Sequence, residues 1–169
     1  MKNKIKAVFA VGSCLTVLLF AAGCDSLDST TRDFTPTLAR FFLETNNTGA
    51  STVVLPISGV RVAIGDKPIF TEGDIVDVDL AQVDLGRCLL FHLTPSAARD
   101  LYRFSGANQG RRLVLVLNNV PIGARRIDSP INDGAVFVFA EVSDADLPVL
   151  ATNLKKTSAE LQRAIARKK

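Results

Sequence analysis

The chain has 169 residues, with twenty Lys and Arg against seventeen Asp and Glu. Lys2, Lys4 and Lys6 stand ahead of the first acidic residue, and beyond them seventeen cations face seventeen anions. The positive excess therefore belongs to the N-terminus, and nucleic-acid binding, which needs a concentrated basic face, has no support in the composition.

The first 23 residues read as a secretory signal: three lysines, an uncharged apolar run from Ala7 to Ala22, and a small-residue zone at Ala21, Ala22 and Gly23. The run is short for a spanning helix and is weakened by Gly12 and Ser13. Ala21-Ala22-Gly23-Cys24 resembles the lipobox of bacterial lipoproteins, with alanine where leucine is usual. The resemblance implies that Cys24 is acylated, becomes the first mature residue, and anchors the protein on the extracytoplasmic side of the cell envelope, at the inner or the outer membrane. Each buried methylene contributes about 0.8 kcal/mol, so two or three acyl chains hold a protein to a membrane effectively for good.

Residues 24–36 are rich in Ser, Thr and Asp, with only Leu27 and Phe34 as sizeable apolar side chains, and read as a flexible tether. Residues 37–169 suffice for one domain with its own core. Cys14 leaves with the signal and Cys24 carries lipid, so Cys88 has no disulfide partner and is expected to be buried and inert.

Within the domain, strands are expected at Ala39 to Glu44, Thr52 to Ile57, Arg61 to Ile64, Ile75 to Leu80 and Gly86 to Leu93, separated by Asn-, Gly- and Pro-bearing turns. In the fourth, Val76, Val78 and Leu80 alternate with Asp77 and Asp79, the pattern of a half-buried strand. In the fifth, both alternating sets are largely apolar, so both faces are expected to be covered. Thr94 and Pro95 then open a helix to about Ser105, with Ala97, Ala98, Leu101 and Phe104 or Ser105 at helical spacing and Gly106 or Gly110 to end it. Leu113 to Leu117, a tight turn at Asn118-Asn119 and Val120 to Ala124 make a hairpin. One more strand spans Gly134 to Glu141. The closing helix starts near Asp146, with Leu147, Leu150, Leu154, Leu161 and Ile165 on one stripe and a basic last turn that complements the helix dipole. This order predicts an α+β domain: a mainly antiparallel sheet with helices packed on one face.

Groups for catalysis are scarce. The single histidine, His92, lies in an apolar strand and reads as a packed or hydrogen-bonded core residue; a hydrolase built on it and a nearby acid is the remote alternative. Asp74, Asp77, Asp79 and Asp84 fail the calcium-loop spacing and read as a solvated strand face. Arg111-Arg112 and Arg125-Arg126 could meet across the hairpin as a basic spot, which strand-edge protection explains more simply than an anion site. No catalytic residue, metal ligand or cofactor is assigned.

From Leu93 onward the chain resembles the first extracytoplasmic head domain of SecD, an accessory subunit of the bacterial Sec protein translocase. LTPSAARDLYRF at Leu93 to Phe104, Asn108 and Gly110, and RRLVLVLNNVPIGARRIDSPINDG at Arg111 to Gly134, with Pro130, Ile131 and Gly134 closing, carry it. The resemblance implies a SecD-head-like fold and a non-catalytic, protein-binding domain. Its partners would be Sec translocase components or exported polypeptides, besides the membrane reached through the lipid. The chain lacks the multiple transmembrane helices of SecD, so shared fold does not make it a translocase. A structural or envelope-organising lipoprotein is the alternative. Binding would use a strand edge or a groove near the helix from Pro95 and the loop from Arg125 to Gly134, with no individual contact residue singled out.

Overall fold

The computed structural model describes residues 32–168; the signal segment, its cleavage zone and Cys24 lie outside them. The chain divides into Met1–Arg32 and Asp33–Lys169, and the second unit carries the fold described below. Its elements in order are β1 (Ala39–Leu43), β2 (Ser51–Val54), β3 (Arg61–Ile64), β4 (Ile75–Val83), β5 (Gly86–Leu93), α1 (Pro95–Ala107), β6 (Arg112–Leu117), β7 (Val120–Arg126), β8 (Ala135–Val138) and α2 (Leu147–Arg167). A 3-10 turn, Glu72–Asp74, leads into β4.

The architecture is α+β with antiparallel pairing, as the order of elements predicts. The strands divide into two three-stranded sheets, β1-β6-β7 and β4-β5-β8, plus the separate hairpin β2-β3. The sheets meet through Phe41 and Phe91, both fully buried, whose rings cross edge to face at 5.1 Å. A backbone bridge from Gly123 to Ala140 also joins the end of β8 to β7.

Strand β6 shows why an unbroken apolar run was needed. Leu113, Leu115 and Leu117 face the main core, whereas Val114 and Val116 point the other way and are covered by Val62 and Ile64 of the β2-β3 hairpin. With both faces covered, polar alternation would bury unpaired groups. The turn after β6 is built by Asn118 and Asn119, with φ of 46° and 69°, the left-handed pair that a two-residue hairpin demands. The Asn118 side chain also accepts from Leu38 N at 2.9 Å and donates to Pro36 O, fixing the approach to β1.

Helix α1 begins as its sequence signals, with Thr94 Oγ1 accepting from Ala97 N and Pro95 in the first turn. Ala97, Leu101 and Ser105 form its buried stripe. Gly106 does not end it: the helix runs through to Ala107 and is capped by Asn108, whose side-chain amide donates to Phe104 O, and Gly110 follows at φ 86°. Helix α2 runs antiparallel to β4. Leu147, Ala151 and Leu154 enter the core, and Gln162 donates to the carbonyls of Gly73 and Ile75.

Two expectations are corrected. Val76 does not share a face of β4 with Val78 and Leu80, which the regular register opposite Phe91 and Leu89 keeps together. A register shift between Ile75 and Asp77 turns Val76 outward, Ile75 and Val78 take the core positions, and Leu80 reaches the sheet margin. His92 is not a core residue: its side chain is 40% exposed, because the outer face of β5 beyond Cys88 is only half covered.

The last residues of the expected tether are engaged. Asp33 pairs with Lys156, Thr35 N donates to Asn153 Oδ1, and Thr37 N donates to Thr157 Oγ1 at 2.9 Å, so the chain reaches β1 along α2.

Candidate binding groove on the first helix

Four places could carry chemistry. On the outer face of the β4-β5-β8 sheet, His92 Nε2 lies 3.2 Å from Asp79 Oδ2, and Lys155 Nζ from α2 reaches Asp79 Oδ1 at 2.7 Å and Asp77 Oδ2 at 3.2 Å. Lys155 is the main cause that holds the Asp79 carboxyl below the ordinary carboxylate range. The acidic series is thus not a uniformly solvated face. Asp77 and Asp79 clamp α2, and Asp74 Oδ2 accepts from Thr71 N and Oγ1 at the 3-10 turn. Among the described residues no hydroxyl or thiol is hydrogen-bonded to the His92 ring, and no three metal-type side chains converge.

The expected arginine spot forms in register, with Arg112 opposite Arg126, but its charges are dispersed. Arg112 pairs with Glu44 at 3.2 Å, Arg126 with Asp128 at 3.5 Å, and Arg111 donates to Asn108 Oδ1. Arg125 stacks over the Phe137 ring at 3.7 Å. Cys88 is buried, and desolvation pushes its thiol pKa up, which leaves it a poor nucleophile.

The β2-β3 tip is the third place. Ile57 is 70% exposed there, yet the tip is held: Glu141 accepts from Ile57 N, Ser58 N and Ser58 Oγ at 2.8, 2.8 and 2.6 Å. Burial opposes ionisation of Glu141, but these hydrogen bonds outweigh it and hold the carboxyl below the ordinary glutamate range. A lowered folded pKa stabilises above the unfolded value and loses that contribution as pH falls through the folded one. The Ile57 and Ser58 amide shifts are therefore expected to titrate together with a midpoint below about pH 4.3. A midpoint at or above that value contradicts the pinning.

The fourth place is a groove of about 710 Å³, lined by Ala98, Arg99, Tyr102 and Arg103 of α1 and by Asn132 of the following loop. It lies where the helix from Pro95 meets the loop ending at Gly134. Fixed contacts build its far wall. The buried hydroxyl of Ser105 accepts from Ile131 N at 2.8 Å, Gly134 O accepts from Leu93 N, and Ile131 enters the core. Gly134 has φ 69°, and a Cβ there would stand 2.9 Å from Ala98 Cβ, so only glycine lets the loop lie this close to the helix. Ser105→Ala is expected to cost about 2 kcal/mol, because it leaves the Ile131 amide buried without an acceptor. Denaturant unfolding checks this, and an unchanged midpoint would mean the loop is held by other contacts.

Sequence reasoning indicated this region but not its lining side chains. Arg99, Tyr102 and Arg103 fall at i, i+3 and i+4 on the face opposite Leu101, and that spacing was the available signal. Helix α2 packs on β4, and its basic residues Arg163, Arg167 and Lys168 are exposed. No helix among the described residues is long and apolar enough to cross a membrane.

No protein-family model matches the chain, and no curated protein matches it. Similar solved structures are of SecDF. One, described as a membrane component that enhances protein export, aligns over 73% of this chain and 62% of its own, with TM-score 0.55 and 16% identity. SecDF in a super-membrane-facing form aligns over 73% of this chain and 18% of its own, with TM-score 0.57 and 17% identity. SecDF from Thermus thermophilus, described as a translocon-associated membrane protein, aligns over 73% and 20%, with TM-score 0.50 and 18% identity. The chain thus spans less than two thirds of the first and about a fifth of the others. What it shares with part of SecDF is a fold of the α+β class with antiparallel sheets.

Proposed function

We propose that the protein is an extracytoplasmic lipoprotein, anchored through Cys24, whose domain binds polypeptide without catalysis and serves protein export. The observation that carries this reading is the α1 groove. It is open, walled by a loop that Ser105 and Gly134 hold in place, and set in a domain folded like part of SecDF. A preformed concave surface with an apolar floor and a few polar groups suits recognition of an extended segment. The SecDF structures are of membrane proteins, one described as enhancing export. In this chain acyl groups on Cys24 would supply membrane attachment.

The reading assigns no chemistry to His92. Its ring is accessible, but its neighbours Asp79 and Lys155 are engaged in holding α2 to β4. The test is a photo-crosslinking residue placed at Tyr102 in cells, with the same residue at exposed Lys67 as control. Adducts with exported or envelope polypeptides at Tyr102 and not at Lys67 are the expected result. Equal labelling at both positions, or none at Tyr102, overturns the assignment of the groove.

A further inference from the structure

The lining of the groove holds two arginines and no carboxylate. Arg40, Arg87, Arg112 and Arg126 each face a carboxylate, at 2.9, 3.4, 3.2 and 3.5 Å. Arg99 has no carboxylate partner among the described residues, and Arg103 pairs only with Asp100 on its own helix. The acidic residues of the facing loop are turned away: Asp133 Oδ1 accepts from Ala135 N at 3.1 Å, and Asp128 lies toward Arg126. Two cations one helical turn apart therefore border an apolar floor made by Ala98 and the Tyr102 ring, which is 53% exposed, with the Asn132 amide on the opposite wall.

We propose that the groove selects acidic polypeptide segments, those in which Asp or Glu alternates with apolar side chains. This rests on the polypeptide-binding reading above and names the partner's chemistry. In an extended segment, successive side chains point to opposite sides, so apolar residues seat on Ala98 and Tyr102 while carboxylates reach the guanidinium groups. Charge complementarity favours this occupant: a basic segment would meet Arg99 and Arg103 with like charge, and a neutral one would form no ion pair with them. The planar, multidentate guanidinium suits carboxylate recognition better than an ammonium would.

The test uses the purified full-length protein in detergent and three fluorescent twelve-residue peptides that share leucines and carry Glu, Lys or Gln at the alternate positions. The Glu peptide is expected to bind most tightly, to weaken with added salt, and to lose about tenfold in affinity in R99Q/R103Q. An R163Q/K168Q control on exposed α2 is expected to bind as wild type. Equal affinity for all three peptides, with loss in Tyr102→Ser, would overturn the acidic preference while leaving the groove a polypeptide site. Binding of none would overturn both readings. Capture of phosphatidylglycerol vesicles that depends on Arg99 and Arg103, without binding of the Glu peptide, would overturn the proposal in favour of a membrane surface. Circular dichroism of R99Q/R103Q is expected to match wild type, since both side chains are exposed on the helix.

Discussion

Cys24→Ala is expected to abolish incorporation of a palmitate label and to move the protein from the membrane fraction to the aqueous one. This is the largest effect a single substitution should have on where the protein resides. One acyl chain gives only marginal binding, with an association constant of about 10⁴ M⁻¹, but two or three raise the retention beyond ready reversal. On the proposed anchor, removing the Cys24 sulfur would remove all of them together. Wild-type protein that takes up no label would contradict the anchor. A Cys24→Ala protein that stays in the membrane unlabelled would show that the apolar run at Ala7 to Ala22 holds it instead.

Gly123→Ala is expected to produce the largest loss of stability from adding one methyl group. A Cβ at Gly123 would stand 2.6 Å from Phe139 O and 2.9 Å from Val138 Cγ1. The first is a backbone atom that cannot rotate aside. The position is where β7 approaches the end of β8: Gly123 bridges to Ala140, and Glu141 N donates to Ile122 O. Next to it, between Leu115 and Val116, the β6-β7 register shifts, so the strand is already bent toward its neighbour. Overpacking there should cost about 3 kcal/mol, the upper end for a single methyl in a closed core. Gly123→Val should prevent cooperative unfolding altogether. An alanine variant within about 0.5 kcal/mol of wild type in denaturant would mean that the junction between the sheets is looser than this packing.

Elements whose local chemistry and burial agree were legible in the sequence. Thr94-Pro95 announced the start of α1 and Asn118-Asn119 the β6-β7 turn. The Pro130, Ile131 and Gly134 motif behind the SecD resemblance has a physical basis in the wall of the groove, where Ile131 is buried and Gly134 lies against Ala98. What escaped depended on contacts made across the chain. The bulge after Ile75 turned Val76 outward, which no two-residue period can announce. His92 looked like a core residue because its strand neighbours are apolar, but exposure depends on what covers the outer face of the sheet. The division into two sheets likewise depends on which strands pair, and the backbone bridge at Gly123 has no signal in its own neighbourhood.

The groove follows the same rule. Arg99, Tyr102 and Arg103 form a polar face of α1, and only the loop pinned opposite them by Ser105 makes that face concave. The acidic series shows the converse: Asp77 and Asp79 read as solvated, and it took α2 to bring Lys155 between them.

The central claim is that a lipid-anchored domain receives polypeptide for export. The most direct measurement is cross-linking and affinity purification of the full-length protein from its own host, with Cys24→Ala as the unanchored control. The account predicts enrichment of Sec translocase subunits or of chains in transit, lost in the control. Recovery of other envelope proteins alone would contradict it, assign the protein to organisation of the envelope, and leave the likeness to SecDF as shared ancestry of fold.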